Sequence, residues 1–236
     1  MYFDLYYLII VMPFVILALI ASYKVKSTYS RYSRVPTSRG ISGAEAARMV
    51  LEGNGVMGVR ISRCEGHLTD HFDPRDNTIY LSEDVYDGTS AAACGVAAHE
   101  AGHAVQYAEE YAPMRIRSAL VPVTNFGSSI GMILIMVGIL LSMVAAVFAY
   151  VAYAGILLFS LTAIFQLVTL PVEFNASRRA MAAISDSGRF EREEQQGARR
   201  VLTAAAMTYV AALAVSLAQL LRLLIIVANA TGRRRD

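Results

Sequence analysis

The chain has 236 residues, of which 56% are hydrophobic, and its mean hydropathy of +0.45 is high for a soluble globular domain. Its formal net charge of +2 is too small to indicate a nucleic-acid partner. The two cysteines are too few for a disulfide framework, and in a cytoplasmic segment they would stay reduced. The composition therefore favours a membrane protein and argues against a disulfide-stabilised secreted domain.

Three apolar blocks together have the length of four helices that cross a bilayer. Leu5 to Tyr23 carries no charge and predicts the first span. The acidic start at Met1 to Asp4 and the missing Ala-x-Ala site predict a retained anchor rather than a cleaved signal peptide. Ser118 to Val172 runs 55 residues without a charge, which predicts two helices joined by a tight turn near Tyr150 to Gly155. Val201 to Leu221 predicts a fourth span, with a long helix partly covering the soluble domain as the alternative.

Basic residues cluster in the polar segments beside these spans, and the turn between the second and third spans carries no charge. By the positive-inside rule, both large polar segments are predicted to face the cytoplasm, with the N-terminus and the hairpin tip outside. Arg233 to Arg235 oppose this orientation if the fourth span is complete. The clusters are Lys24, Lys26, Arg31, Arg34 and Arg39; Arg115 and Arg117; and Arg178, Arg179, Arg189, Arg192, Arg199 and Arg200.

The polar segment that follows the first span predicts a small α+β domain. Ser42 is the expected N-cap of a helix over Gly43 to Glu52. Two β-rich stretches follow, Val56 to Ile61 and Thr78 to Leu81. If Asn77 to Ser82 is an exposed strand edge, it can pair with an extended peptide substrate. The alternative is a strand that is simply packed within the domain.

The run His99-Glu100-Ala101-Gly102-His103 is the most informative motif. An α-helix turns about 100° per residue, so His99 and His103 stand on one face, about 6 Å apart along the axis. Two imidazoles at that spacing can bind one zinc ion, and Glu100 beside them can accept a proton from zinc-activated water. Ser90 predicts the N-cap of a helix that runs to about Glu110. The alternative is two incidental histidines on a surface helix.

A catalytic zinc also needs a third protein ligand. Glu109 falls about 80° off the face of His99, and Glu110 lies about 10 Å beyond His103 along the axis. Glu173 is the first charge after the long uncharged stretch, and it is predicted to lie on the same side of the membrane as the motif helix. We therefore predict Glu173 as the remote third ligand. The alternative is an acidic residue at a helix start, favoured there by the helix dipole.

Three other residues are candidates for the site. His67 and His71 are four residues apart, which suits either an oxyanion stabiliser or second metal site, or hydrogen bonding within a turn. We prefer the turn and leave both outside the predicted site. Cys94 points about 140° away from His99 around the helix and is predicted to be a small buried hydrophobic side chain.

Six stretches carry a resemblance to a known family, and they run in the order Ile41–Arg48, Gly66–Arg75, Tyr80–Tyr86, Ala97–Gln106, Leu170–Ala180 and Gly197–Leu202 with Ala204–Ala211. Together they span nearly the whole chain and resemble the bacterial membrane zinc metallopeptidases of the YugP type. The resemblance implies a multi-pass zinc peptidase with His99 and His103 as ligands, and it agrees with Glu173 as the third. That family commonly has Asp where Asn175 stands here, and an amide would orient a ligand by hydrogen bonding without the charge.

The predicted fold is mainly α: a multi-pass membrane protein with about four transmembrane helices and a small α+β, zincin-like catalytic domain at the membrane face. The predicted segments are 1–23 (anchor helix), 24–117 (catalytic domain with a zinc-binding helix at about 90–110), 118–172 (transmembrane hairpin), 173–200 (helix supplying the third ligand, and linker) and 201–236 (fourth transmembrane helix and basic tail).

The predicted function is a zinc-dependent endopeptidase of the bacterial cell membrane. It would use one catalytic Zn²⁺ and Glu100 as general base to cleave membrane-associated polypeptides at the cytoplasmic face. One alternative is an intramembrane-cleaving metalloprotease, which needs the motif in a spanning helix and usually a Leu-Asp-Gly stretch that this sequence lacks. The other is a non-catalytic membrane scaffold that retains a structural zinc site, for which Glu100 would be unnecessary.

Overall fold

The computed structural model describes residues 5–232, which form a mainly α fold with a small α+β part, as predicted. The helices are α1 (Met12–Tyr32, preceded by a π-helical turn at Tyr7–Val11), α2 (Gly43–Gly53), α3 (Glu83–Tyr86), α4 (Ala91–Ala108), α5 (Ala112–Ser142), α6 (Ala149–Phe159), α7 (Leu161–Asp186) and α8 (Arg192–Gly232). The strands are β1 (Arg60–Cys64), β2 (His71–Asp73) and β3 (Thr78–Ser82).

Four helical stretches are long and apolar enough to cross a membrane, which confirms the predicted number of spans. They are Tyr7–Tyr32, Ala112–Ser142, Ala146–Asp186 and Arg192–Ala230. The chain divides into two compact units. We call residues 5–20, 116–169 and 209–232 the apolar unit, and residues 21–115 and 170–208 the polar unit. The predicted basic tail at Arg233 to Arg235 lies outside the described residues.

The polar unit begins as the sequence predicts. Ser42 caps α2 through a reciprocal capping box with Glu45, whose carboxylate accepts a hydrogen bond from the Ser42 N–H. Ser90 caps α4 by accepting from the N–H of Ala93 at 3.2 Å. Both helices therefore start at the predicted residues, because each cap satisfies backbone donors that the first helical turn leaves unpaired.

The sheet differs from the prediction in two ways. Its strand order is β1-β3-β2, with β1 parallel and β2 antiparallel to β3. The strand predicted at Val56 to Ile61 is displaced, because it shares only Arg60 and Ile61 with β1, and Gly58 interrupts the extended run before them with a φ of +81°. The proposed edge at Asn77 to Ser82 was wrong, since β3 is the central strand and the short, unpredicted β2 forms an edge of the sheet.

Helix α4 is buried in the core of the polar unit, where alanines and glycines let other helices approach it closely. A Cβ on Gly102 would lie 2.7 Å from the Ala176 carbonyl oxygen on α7. A Cβ on Gly95 would lie 3.1 Å from the Cα of Ala198 on α8. The small side chains of α4 therefore set how near α7 and α8 come to the His-Glu-x-x-His motif.

Helices α7 and α8 are longer than the sequence suggests. The predicted helix start at Glu173 was wrong, because α7 begins at Leu161 and continues through Pro171 without ending. Helix α8 runs unbroken from the polar unit into the apolar unit. Its early residue Val201 is buried in the core of the polar unit and its later residue Val227 in that of the apolar unit. Helix α8 therefore supplies a candidate fourth span, as predicted for Val201 to Leu221. It also contributes to the core of the polar unit, as the alternative described.

In the apolar unit, α5 and α6 pack through small residues. Gly131 and Gly155 face each other, and a Cβ on Gly131 would lie 2.8 Å from the Gly155 carbonyl oxygen. The predicted turn at Tyr150 to Gly155 was wrong, because α5 ends at Ser142 and these residues lie inside α6. Glycine serves helix packing here rather than chain reversal, as is common between helices in membranes.

Candidate metal centre

Three potential metal ligands converge in the polar unit, two from α4 and one from α7. The Nε2 atom of His99 lies 3.2 Å from the Glu173 Oε2, and the Nε2 of His103 lies 3.5 Å from the same oxygen. All three ligand atoms lie within 4.8 Å of one another. Among the described residues, this is the group of His, Cys, Asp or Glu side chains that could hold a metal ion. His103 and Glu173 are 7% and 2% exposed. The structure therefore brings together the three ligands that the sequence predicted.

The geometry and chemistry of this group fit one zinc ion. Tetrahedral zinc binds nitrogen and oxygen at about 2.0–2.1 Å, which places ligand atoms roughly 3.3 Å apart. The two distances to the Glu173 carboxylate, 3.2 and 3.5 Å, bracket that separation. Two histidines and one glutamate are also a donor set of catalytic zinc sites, in which a fourth position stays open.

Each histidine uses its other ring nitrogen for a hydrogen bond that orients the ring. The Nδ1 of His99 lies 3.1 Å from the Ser177 hydroxyl, and the Nδ1 of His103 lies 3.0 Å from the Gln106 Oε1. Because an amide oxygen only accepts, the His103 Nδ1 carries a proton. In the neutral ring this leaves the Nε2 lone pair, on the side of the Glu173 carboxylate, for a metal ion. The outer hydrogen bond thus selects the tautomer that can bind a metal.

The Gln106 amide is itself held in one orientation. Its Nε2 donates to the Val172 carbonyl at 2.8 Å and to the Asn175 Oδ1 at 2.9 Å. Arg179 donates to the same Asn175 oxygen at 2.8 Å and pairs through both terminal nitrogens with Glu109. This network ties the end of α4 to α7, and it links Asn175 through Gln106, by two hydrogen bonds, to His103.

The predicted general base lies beside the ligands and contacts the edge strand. The Glu100 Oε2 accepts a hydrogen bond from the Phe72 N–H on β2 at 3.1 Å. Burial raises the pKa of Glu100 above its ordinary value, and the neighbouring His99 and His103 oppose that shift. For His103, burial lowers the pKa, but the neighbouring Glu173 and Glu100 carboxylates together with the Gln106 hydrogen bond outweigh burial, so the pKa is raised overall.

The remaining candidates lie apart from the metal-binding group. His67 lies 3.1 Å from the Asp84 carboxylate, and the His71 Nδ1 lies 2.8 Å from the Thr69 carbonyl. His71 therefore makes a local contact of the kind that the preferred interpretation described, whereas His67 bonds to α3, 17 residues further along the chain. Glu110 pairs with Arg115 at the surface. Cys94 is fully buried, and burial raises the pKa of its thiol to about 12.

Sequence reasoning missed the residues that orient the ligands. Gln106 is not among the predicted site residues, yet it lies three residues after His103, on the same helix face. Ser177 follows Glu173 by four residues, which also puts both on one face of α7. Helical spacing from a ligand to a polar residue is the signal that would have found them.

Comparisons with known proteins agree with this geometry. A family model described as "Putative neutral zinc metallopeptidase" matches residues 7–228. The chain is also 46% identical over 209 residues to "Putative membrane protease YugP" of Bacillus subtilis (strain 168), an alignment that covers 89% of this chain and 91% of that protein. No solved structure matches the chain significantly.

Proposed function

Since the chain belongs to the neutral zinc metallopeptidase family, as its resemblance to the YugP type indicated, we propose that it is an active zinc-dependent membrane endopeptidase. In this proposal His99, His103 and Glu173 hold the zinc and Glu100 is the general base. The observation that carries it is the convergence of the three ligand atoms within 4.8 Å beside the Glu100 carboxylate. A zinc ion held there supplies Lewis-acid activation of water and of a peptide carbonyl.

The protein's own residues position and move the protons. Glu100 accepts the proton of the attacking water and returns it to the leaving amine, a role that suits a carboxylate whose pKa is raised by burial. Gln106 and Ser177 keep the rings of His103 and His99 aimed at the Glu173 carboxylate. These two hydrogen bonds hold the imidazole rings in the orientation that suits metal binding.

We place the substrate backbone along the free edge of β2. Phe72 pairs with Ile79 of β3 in the antiparallel register, and its N–H is directed to the Glu100 carboxylate. The outer edge of β2 and the base therefore face each other. An extended polypeptide added to that edge would bring a peptide carbonyl to the general base.

Two observations weigh against the alternatives. Within residues 5–232, α4 is not among the four candidate membrane spans, whereas an intramembrane protease needs the motif in such a helix. A scaffold with structural zinc has no use for Glu100, which is not one of the grouped ligands. The first observation favours a site outside the lipid zone, and the second favours hydrolysis over a structural role.

The test of the mechanism is Glu100→Gln, compared with Glu110→Gln as a matched control outside the site. An amide cannot accept the proton, so Glu100→Gln should keep its zinc and lose about 10²–10⁴-fold of its activity. Elemental analysis and hydrolysis of a casein-type substrate measure the two quantities. A Glu100→Gln rate within about tenfold of wild type would contradict the proposal.

We further propose that the polar unit faces the cytoplasm, because its cations flank the predicted spans. In a background with Cys64 and Cys94 replaced, Val144→Cys should react with an impermeant thiol reagent in intact cells. Arg39→Cys should react only after the cells are permeabilised. Val144 is 80% exposed and lies between α5 and α6, so its thiol would be accessible from whichever side it faces. The reverse labelling pattern would put the metal centre outside.

A further inference from the structure

A second concave site lies in the polar unit between α1 and α8, and the proposed peptidase mechanism does not use it. It is a cavity of about 420 Å³. Three cationic side chains line it, Lys24, Arg31 and Arg200, together with four that bear hydroxyls, Ser27, Thr28, Tyr32 and Thr203. The lining is therefore rich in hydrogen-bond donors and carries a formal charge of +3 from its three cations.

The charge of this cavity is not balanced by the protein. None of the lining residues is acidic, and in the part of the chain that the structure describes no ion pair neutralises Lys24, Arg31 or Arg200. A larger cavity of about 630 Å³ in the same unit differs in this respect, because its cation Arg34 shares the lining with Asp84. The smaller cavity thus lacks an anion that the larger one has.

Two of the three cations also stand where apolar stretches end. Lys24 follows Ile20, the last residue of α1 in the apolar unit, by four positions. Arg200 directly precedes Val201, which begins the uncharged run of α8. Cations at the ends of membrane-spanning stretches lie at the depth of the lipid headgroups. Negative charge at that depth is carried chiefly by phospholipid phosphates.

We propose that this cavity binds the phosphate of an anionic phospholipid headgroup, which would bridge α1 and α8. Arginine guanidinium groups match phosphate oxygens in a two-pronged geometry, and Lys24 adds a third positive charge. The hydroxyls of Ser27 and Thr28 supply further donors. The shared chemistry is that of a phosphate anion, and the membrane is the source that the position of the cations favours.

The chain offers a matched control for this site. Lys24, Arg31 and Arg200 line the cavity, whereas Lys26, Arg34 and Arg199 are near them in sequence but outside its lining. The triple variant Lys24→Gln/Arg31→Gln/Arg200→Gln and the control Lys26→Gln/Arg34→Gln/Arg199→Gln lose the same charge. Any effect of net charge or of membrane orientation is therefore common to both.

The full-length proteins, purified in a neutral detergent, are titrated with phosphatidylglycerol, phosphatidylcholine or inorganic phosphate while thermal unfolding is followed. Phosphatidylglycerol should raise the melting temperature of the wild type and of the control triple to a plateau. For the cavity triple the half-saturating lipid concentration should rise at least about tenfold. Phosphatidylcholine should have little effect, because its choline cancels the phosphate charge.

Each outcome of the titration either supports the phosphate site or overturns it. Inorganic phosphate acting as strongly as the lipid, with the same loss in the cavity triple, would support a phosphate site and assign its source to solution. Equal losses in the two triples, or no loss in either, would overturn the site. Circular dichroism and the lipid-free melting temperature check that both triples are folded, so that a missing lipid response is interpretable.

Discussion

Two helix pairs in this protein approach each other through glycine, and they do so for different ends. Where α4 meets α7, a Cβ on Gly102 would lie 2.7 Å from the Ala176 carbonyl oxygen. Where α5 meets α6, a Cβ on Gly131 would lie 2.8 Å from the Gly155 carbonyl oxygen. The crowding is nearly the same, but only the first pair has metal-binding side chains, His103 and Glu173, next to the contact. Close packing therefore brings candidate metal ligands together in the first pair, where polar residues flank the contact.

The comparison predicts its largest effect for Gly102→Ala set against Gly131→Ala. Relieving a contact of 2.7 Å to the usual carbon–oxygen separation requires α7 to move by roughly 0.6 Å. Zinc sites tolerate about 0.2 Å, so Gly102→Ala should weaken zinc binding at least about tenfold. Gly131→Ala should destabilise the protein by about 1–3 kcal/mol while leaving zinc affinity within about twofold.

Zinc affinity measured by competition with a chelator, beside thermal unfolding of both variants, checks this pair. Equal zinc affinity in Gly102→Ala and Gly131→Ala would break the comparison. It would mean that the spacing of α4 and α7 does not control the metal centre.

A smaller effect is expected when the hydrogen bonds are removed and the helix contact is kept. Gln106→Ala takes away the acceptor that holds the His103 Nδ1 proton, along with the bonds to Val172 and Asn175. Loss of such an outer partner typically weakens metal binding about 10–100-fold, and we expect the low end, about tenfold, because the helix spacing is kept. Gln195→Ala is the matched control, because Gln195 bonds to Phe190 and Ser185 away from the site. Unchanged zinc affinity in Gln106→Ala would show that packing alone orients His103.

Sequence periodicity was sufficient for the parts of the site that lie on one helix. The four-residue spacing of His99 and His103 places both on one face of α4, and Ser90 marks where that helix starts. Glu173 was found differently, as a charge isolated at the end of a long apolar stretch. These signals are local, or nearly so, and need no knowledge of which elements touch.

What the sequence did not predict depends on tertiary contacts. Glycine is common in turns, but Gly155 lies inside α6, where the missing side chain lets α5 pack directly against the helix. Pro171 is expected to end a helix, yet α7 continues through it. Strand β2 has only three residues, too few for an alternating pattern, and it exists through its pairing with β3. For Gly155 and β2, a partner outside the element decides the local structure.

The position of Glu173 inside α7 sharpens the central claim. A residue in the middle of a helix is not explained by the dipole of a helix start, so the alternative role given to Glu173 loses its physical basis. Its carboxylate is instead 2% exposed and lies against both histidines of the motif. A buried carboxylate in that setting needs cationic partners or a metal ion.

Zinc content of Glu173→Ala, measured by elemental analysis after dialysis against a mild chelator, tests that claim most directly. We expect occupancy and activity to fall together, with Glu173→Gln weakened in the same direction because a neutral amide oxygen is a poorer zinc ligand than a carboxylate. Glu110→Ala, on the surface beyond the end of α4, should keep both. Circular dichroism verifies that the variants are folded. Full zinc occupancy in folded Glu173→Ala would contradict the assignment of Glu173 as the third ligand.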